Sequence, residues 1–135
     1  MFKKLFVSVL FLSLLTTISN AQERESLKVD ELVFCTAVKE RQPVGVDTVF
    51  ADTVKQVYCF TRITGAADTT SVYHVWYYKG EEKAKVNLSI RSTMWRTWSS
   101  KKILKEWDGK WRVDVISSDG NLIRSKEFII KPTSN

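Results

Sequence analysis

The sequence predicts an all-β protein, an immunoglobulin-like antiparallel β-sandwich of about seven strands behind a cleaved signal peptide. Three observations carry that prediction. Most of the chain alternates apolar and polar residues with the period of a strand, and no stretch gives a convincing helical stripe. The alternating positions are rich in β-branched and aromatic residues, which fit a pleated, half-buried surface. The segments are short, closely spaced and nearly free of proline, without the strand-and-helix rhythm of a parallel sheet. A small barrel is the other architecture this pattern allows. The sandwich is preferred because GKWRVDVISSDGNLIRSKEFII looks like the last two strands of an immunoglobulin-like domain.

The first residues, MFKKLFVSVLFLSLLTTISNAQ, join a basic start (Lys3, Lys4) to an apolar run from Leu5 to Leu15 and small residues at Ser19 and Ala21. This is the pattern of a secretory signal peptide, residues 1–21, cut between Ala21 and Gln22. The apolar run falls short of the roughly 20 residues that span a bilayer, so no transmembrane segment is expected in the mature chain. Residues 22–135 then form a single β-sandwich domain.

Within it, LKVDELVFCTAVKE (Leu27 to Glu40) reads as a buried strand ended by Pro43 and Gly45. VKQVYCFTRI (Val54 to Ile63) follows, and TTSVYHVWYYKG (Thr69 to Gly80) turns at Lys79-Gly80. Next, Ala84, Val86, Leu88 and Ile90 alternate with Lys85, Asn87, Ser89 and Arg91, a half-buried antiparallel strand. RSTMWRTWSSKK (Arg91 to Lys102) comes after it, and KKILKEW reads as a single helical turn. WRVDVIS and NLIRSKEFIIKP flank Ser118-Asp119-Gly120-Asn121, where Asp-Gly between alternating runs signals a hairpin.

The formal charge of +6 falls to +4 once Lys3 and Lys4 are removed, leaving 19 basic against 15 acidic residues. That excess favours anionic surfaces and is too small to argue for nucleic acid. Export, to the periplasm or outside the cell, places both cysteines where disulfides persist. Cys35 and Cys59 are therefore expected to pair, a bridge worth about 3 kcal/mol in the chain-entropy model. Two buried free thiols are the alternative.

ELVFCTAVKERQPVGV, VYCFTRITG, HVWYYKGEEKAKVNLSI, WRTWSSKKI and GKWRVDVISSDGNLIRSKEFII, in this order and spacing, resemble the bacterial family catalogued as domain of unknown function 2914. The likeness runs from Val29 to Ile130. Its most specific elements are His74-Val75-Trp76-Tyr77, the stretch from Trp95 to Lys101, and Gly109-Lys110-Trp111. Cys35 and Cys59 match the positions of cysteine-bearing members. The resemblance implies an exported or membrane-attached β domain with no established activity to carry over.

The stretch from Trp95 to Lys102 holds two of the five tryptophans among cations and hydroxyls. In extended backbone Trp95, Thr97 and Ser99 share one face, and Arg96 and Trp98 the other. Trp95 is expected to be buried, stacked near Trp111 under the edge of the sandwich, with Trp98 more exposed. A purely structural tryptophan–arginine ladder is one use of such a pattern. The other is a binding platform in which Trp98 stacks on a ligand while Arg96, Ser99, Ser100 and Lys101 supply charge and hydrogen bonds. His74 and Tyr78 align on one strand face beside it. Trp76 and Trp111 read as core, and His74 equally as a satisfied histidine within the aromatic surface.

With one histidine and two cysteines expected to bond each other, no metal site and no cofactor are predicted. Ser99 to Lys102 matches a Ser-x-x-Lys pattern, but the helix and the two companion motifs of that chemistry are missing. Glu106 and Asp108 read as solvated loop residues, and Asn87-Leu88-Ser89 is a glycosylation sequon without meaning in a bacterial protein. The preferred function is a non-catalytic binding module for an envelope polymer or envelope protein. An envelope hydrolase using His74, or Ser99 and Ser100 with Lys101, is the alternative, and an oligonucleotide-binding barrel a remote third.

Overall fold

The computed structural model describes residues 26–134, so the expected signal peptide and the expected cleavage between Ala21 and Gln22 lie outside the described residues. Ten strands follow one another: β1 (Lys28–Cys35), β2 (Ala37–Lys39), β3 (Gln42–Val44), β4 (Val49–Ala51), β5 (Gln56–Thr64), β6 (Thr70–Tyr78), β7 (Glu81–Ile90), β8 (Met94–Lys102), β9 (Gly109–Ser117) and β10 (Leu122–Lys131). The seven long ones, β1 and β5 to β10, are those the alternation predicts. The strand expected over Leu27 to Glu40 breaks at Thr36 into β1 and β2, Pro43 falls within β3 rather than ending the run, and β3 and β4, like β2, have three residues each, too few for a period to register. The helical turn expected in KKILKEW is absent: Lys101 and Lys102 extend β8, and a turn closed by Trp107 N–H to the Leu104 carbonyl follows.

The strands form an open three-stranded sheet, β1-β5-β8, an open five-stranded sheet, β4-β10-β9-β6-β7, and the small β2–β3 hairpin. Neither large sheet closes into a barrel, and the architecture is sandwich-like. All pairings are antiparallel except β4 with β10. Asp119-Gly120 makes the β9–β10 turn, with Gly120 at φ +87°, where a Cβ would be strained. Among the described residues no helix is long and apolar enough to cross a membrane.

The core lies where the inward faces of the two sheets meet. Leu32, Phe34, Val57, Cys59 and Ile63 of the three-stranded sheet oppose Val72, Trp76, Trp111, Val113, Val115, Phe128 and Ile130 of the other. Phe128 is the hub: its ring stacks on Trp111 at 5.8 Å, meets Trp76 edge-on at 6.1 Å and touches Phe34 at 4.5 Å. Trp76 and Trp111 are fully buried, as the alternation requires.

The expected disulfide is not formed; Cys35 and Cys59 are both free and buried. Register is the reason. Cys35 opposes Tyr58 and Cys59 opposes Phe34, so the cysteines are offset by one residue on neighbouring strands. One residue along a strand reverses the direction of the side chain. Cys59 joins the core between the sheets. Cys35 points to the other face, where its thiol meets the backbone of Val44 and Ala37 in the hairpin.

Candidate functional site

The expected alternation along β8 holds. Thr97 and Ser99 are buried on the inward face, with Trp95 half-buried against the core, while Arg96 and Trp98 lie on the outer face. The contrast between the two indoles is weaker than expected, because both are half-buried. β8 is an edge strand of its sheet, so even an inward side chain near its end reaches the rim. Trp98 stacks on Phe60, its cross-strand partner, at 6.1 Å and 14°. Trp95 does not stack near Trp111. Trp111 pairs with Tyr78 at one end of β6, whereas Trp95 follows the turn after Ile90, which pairs with Thr70 at the other end. The aromatic partners of Trp111 are Tyr78, Trp107 and Phe128.

Around the start of β8 the surface is hollowed into an open groove of about 520 Å³, lined by Arg41, Ser89, Arg91, Trp95, Arg96, Thr97 and Trp98. A smaller recess formed by Arg41, Ser92, Met94, Trp95 and Arg96 adjoins it. Each wall has a local cause. Arg91 sits in the short connection from β7 to β8 and Ser89 near the end of β7. Arg41 comes from the tip of the β2–β3 hairpin, which folds back so that its guanidinium lies 5.4 Å over the Trp95 ring. Glu40 and Arg41 form that tip with φ of +51° and +59°, a region that side-chain-bearing residues adopt at a cost.

The groove is strongly basic. Among the described residues no ion pair engages Arg41, Arg91 or Arg96. A fourth guanidinium stands beside it: Arg62 of β5 is directly opposite Arg96, and its Nε is buried without a hydrogen-bond partner. Like charges facing each other across a strand pair are destabilising. Of the sequence-predicted binding residues, then, Arg96 and Trp98 come together here. Ser89 and Arg91, polar positions of the preceding alternation, join them across the β7–β8 turn, and Arg41 is an addition that no local pattern marks, since the β2–β3 hairpin brings it in from a distant part of the chain.

The remaining candidates go elsewhere. Ser100 points outward and its hydroxyl meets Gln56 Nε2 at 2.8 Å. Lys101 Nζ lies 5.3 Å over the Trp107 ring, and Lys83 lies at 5.4 Å from the same ring. Tyr78 donates its hydroxyl to the Asp108 carbonyl at 2.7 Å and packs on Trp111 at 4.9 Å. Trp107, which the sequence does not single out, completes this second aromatic cluster by accepting the Trp111 indole N–H at its carbonyl.

His74 and Ser99 meet between the sheets. Thr61 donates to the Thr97 carbonyl at 2.8 Å, so the 3.2 Å contact of its oxygen with His74 Nε2 requires that nitrogen to carry the proton. Nδ1 is then the acceptor, and the Ser99 hydroxyl donates to it at 2.7 Å. Trp76 Nε1 in turn donates to the Ser99 oxygen at 3.0 Å. Every polar atom of this buried chain has a partner of the right sense. Burial holds the imidazole neutral, its pKa pulled down to about 3. The dyad resembles a nucleophile with its base, but both residues are buried and neither lines the groove. Among the described residues no group of three histidine, cysteine, aspartate or glutamate side chains is placed to hold a metal ion.

Residues 69–130 match the model of a family described as a protein of unknown function, DUF2914. The family likeness read from the sequence is supported over β6 to β10, which includes the β8 side of the groove. The two cysteines and Arg41 precede the matched segment. No curated protein matches the chain.

Proposed function

We propose that the protein is a non-catalytic binding module of the bacterial cell envelope, exported by its N-terminal segment, and that the groove of Arg41, Arg91, Trp95, Arg96 and Trp98 is its ligand-contacting surface. One observation carries the reading: three arginines and two tryptophans line one groove while no ion pair within the described residues neutralises the arginines. Its volume falls within the range of ordinary ligand sites, roughly 300–1,000 Å³. The cation–π contact of Arg41 with Trp95 serves the fold, but it does not account for Arg91 and Arg96 beside it, because unpaired like charges repel.

The hydrolase alternative draws on the Ser99–His74 contact. That hydroxyl already accepts the Trp76 indole N–H and is enclosed, which favours a structural role. The binding reading is tested by capture from an envelope extract on the mature domain, compared with Arg96→Ala and Trp98→Ala. Material retained by the native protein and lost from both folded variants is the expected result. Equal retention by all three overturns the groove as the binding surface.

A further inference from the structure

We infer that the groove takes a phosphorylated sugar, with the phosphoryl group held by Arg41, Arg91 and Arg96 and the sugar ring laid against the indole of Trp98. The inference rests on the binding-module reading and names the ligand class of the same site.

The charge comes first. A carboxylate brings one negative charge and is satisfied by a single two-pronged guanidinium contact. Here three guanidiniums line one groove without a carboxylate partner, and the buried Nε of Arg62 lies beside them. A phosphoryl group near pH 7 brings close to two charges and three acceptor oxygens, enough to engage several guanidiniums at once. Its arrival also offsets the repulsion between Arg62 and Arg96, which face each other across β5 and β8.

The backbone adds an independent observation. A two-residue hairpin turn with both φ angles positive favours asparagine and glycine. This hairpin holds glutamate and arginine there instead, and the strained tip places the Arg41 guanidinium over Trp95 at the mouth of the groove. Strained backbone of this kind is concentrated at functional positions.

The Trp98 indole defines the rest of the ligand. Trp98 offers a flat apolar wall, Trp95 lines the groove beneath Arg41, and Ser89 supplies a hydroxyl. A ring with an apolar face and a hydroxylated rim fits such a wall, and a phosphoryl group carried on that rim would reach the arginines of the same groove. The groove is open and of about 520 Å³, within the range of small-ligand sites, whereas a bilayer would be met by a basic face extending well beyond it.

The test is calorimetric titration of the mature protein with glucose 1-phosphate, glucose, inorganic phosphate, adenosine monophosphate and phosphatidylglycerol vesicles. Glucose 1-phosphate is expected to bind, with at least about tenfold weaker binding of glucose and of inorganic phosphate, and with affinity falling as salt rises. Arg96→Ala should weaken it at least about tenfold. Arg41→Gly should do the same while leaving the unfolding midpoint unchanged or higher, because glycine relaxes the turn as it removes the guanidinium. That variant separates lost binding from lost folding. Glucose or inorganic phosphate binding as tightly as glucose 1-phosphate overturns the proposal. So does a preference for adenosine monophosphate or for the vesicles, and so does full affinity in a folded Arg41→Gly protein. If envelope capture still depends on Trp98 and Arg96 while no sugar phosphate binds, the ligand class is wrong and the binding module stands. If neither is seen, both readings fall.

Discussion

Ser99 Oγ lies 2.7 Å from His74 Nδ1 and receives the Trp76 indole N–H at 3.0 Å, so one hydroxyl joins two residues of β6 to β8 across the interior. Ser99→Ala leaves both partners buried and unsatisfied. Each such group costs roughly 1–3 kcal/mol, so Ser99→Ala should lower the urea midpoint markedly. Ser100→Ala, one residue along on the outer face, is expected to stay within about 1 kcal/mol. Equal effects from the two would mean that the network contributes nothing.

The same histidine sets an acid limit. Its pKa is pulled from 6.5 in the free side chain to about 3 by burial. Between those values the unfolded chain takes up a proton that the folded chain refuses. The contribution of the site is therefore complete above about pH 6.5 and lost as pH falls toward 3, at a slope of up to about 1.4 kcal/mol per pH unit. Urea unfolding across this window should show the slope in the native protein and a flatter profile in His74→Gln.

Because Cys35 and Cys59 are free and point to opposite faces of their sheet, reductant should leave the unfolding midpoint unchanged. Burial also raises both thiol pKa values, which suppresses the reactive thiolate. A thiol reagent added without reductant should find two reactive groups in the denatured protein and almost none in the native one. A midpoint that drops with reductant would show a bridge and a different register of β1 on β5.

The tryptophans should grade by depth. Trp111→Ala removes a fully buried ring stacked on Phe128 and is expected to cost about 3–5 kcal/mol. Trp98→Ala removes a half-buried ring stacked on Phe60, where the aromatic pair is worth about 0.5–1.5 kcal/mol beyond its area. Trp95→Ala should fall between them, since Trp95 packs against the core and also carries Arg41. Tryptophan-to-alanine unfolding midpoints in that order support the placement, and a Trp98 effect as large as that of Trp111 contradicts it.

Alternation made the seven long strands legible, and it separated Trp95 from Trp98 by face. It did not reveal how deeply each is buried, because depth depends on which strands become edges, and β8 is one. The β2–β3 hairpin was illegible for a different reason: Thr36 breaks the run after Cys35, and three-residue strands show no period. One wall of the groove, Arg41, was hidden with it. Arg41 and Trp95 are 54 positions apart in the sequence, and only the folded hairpin makes them neighbours. The Cys35–Cys59 pairing failed on a single step of register, which spacing does not encode.

Strand β4 has one neighbour, β10, which runs parallel to it and sets Phe50 against Phe128 at 6.1 Å. The segment that recruits β4 is therefore made long after β4 itself, with five strands between them. A nascent chain that has emerged only as far as Asp119 contains every strand of the three-stranded sheet, yet it lacks both the partner of β4 and the ring on which Trp76, Trp111 and Phe34 converge. Closing so long a loop is slow relative to forming a hairpin. Assembly of the interior therefore waits on β10, and until that strand is made the inward rings of both sheets lack the side chain that joins them.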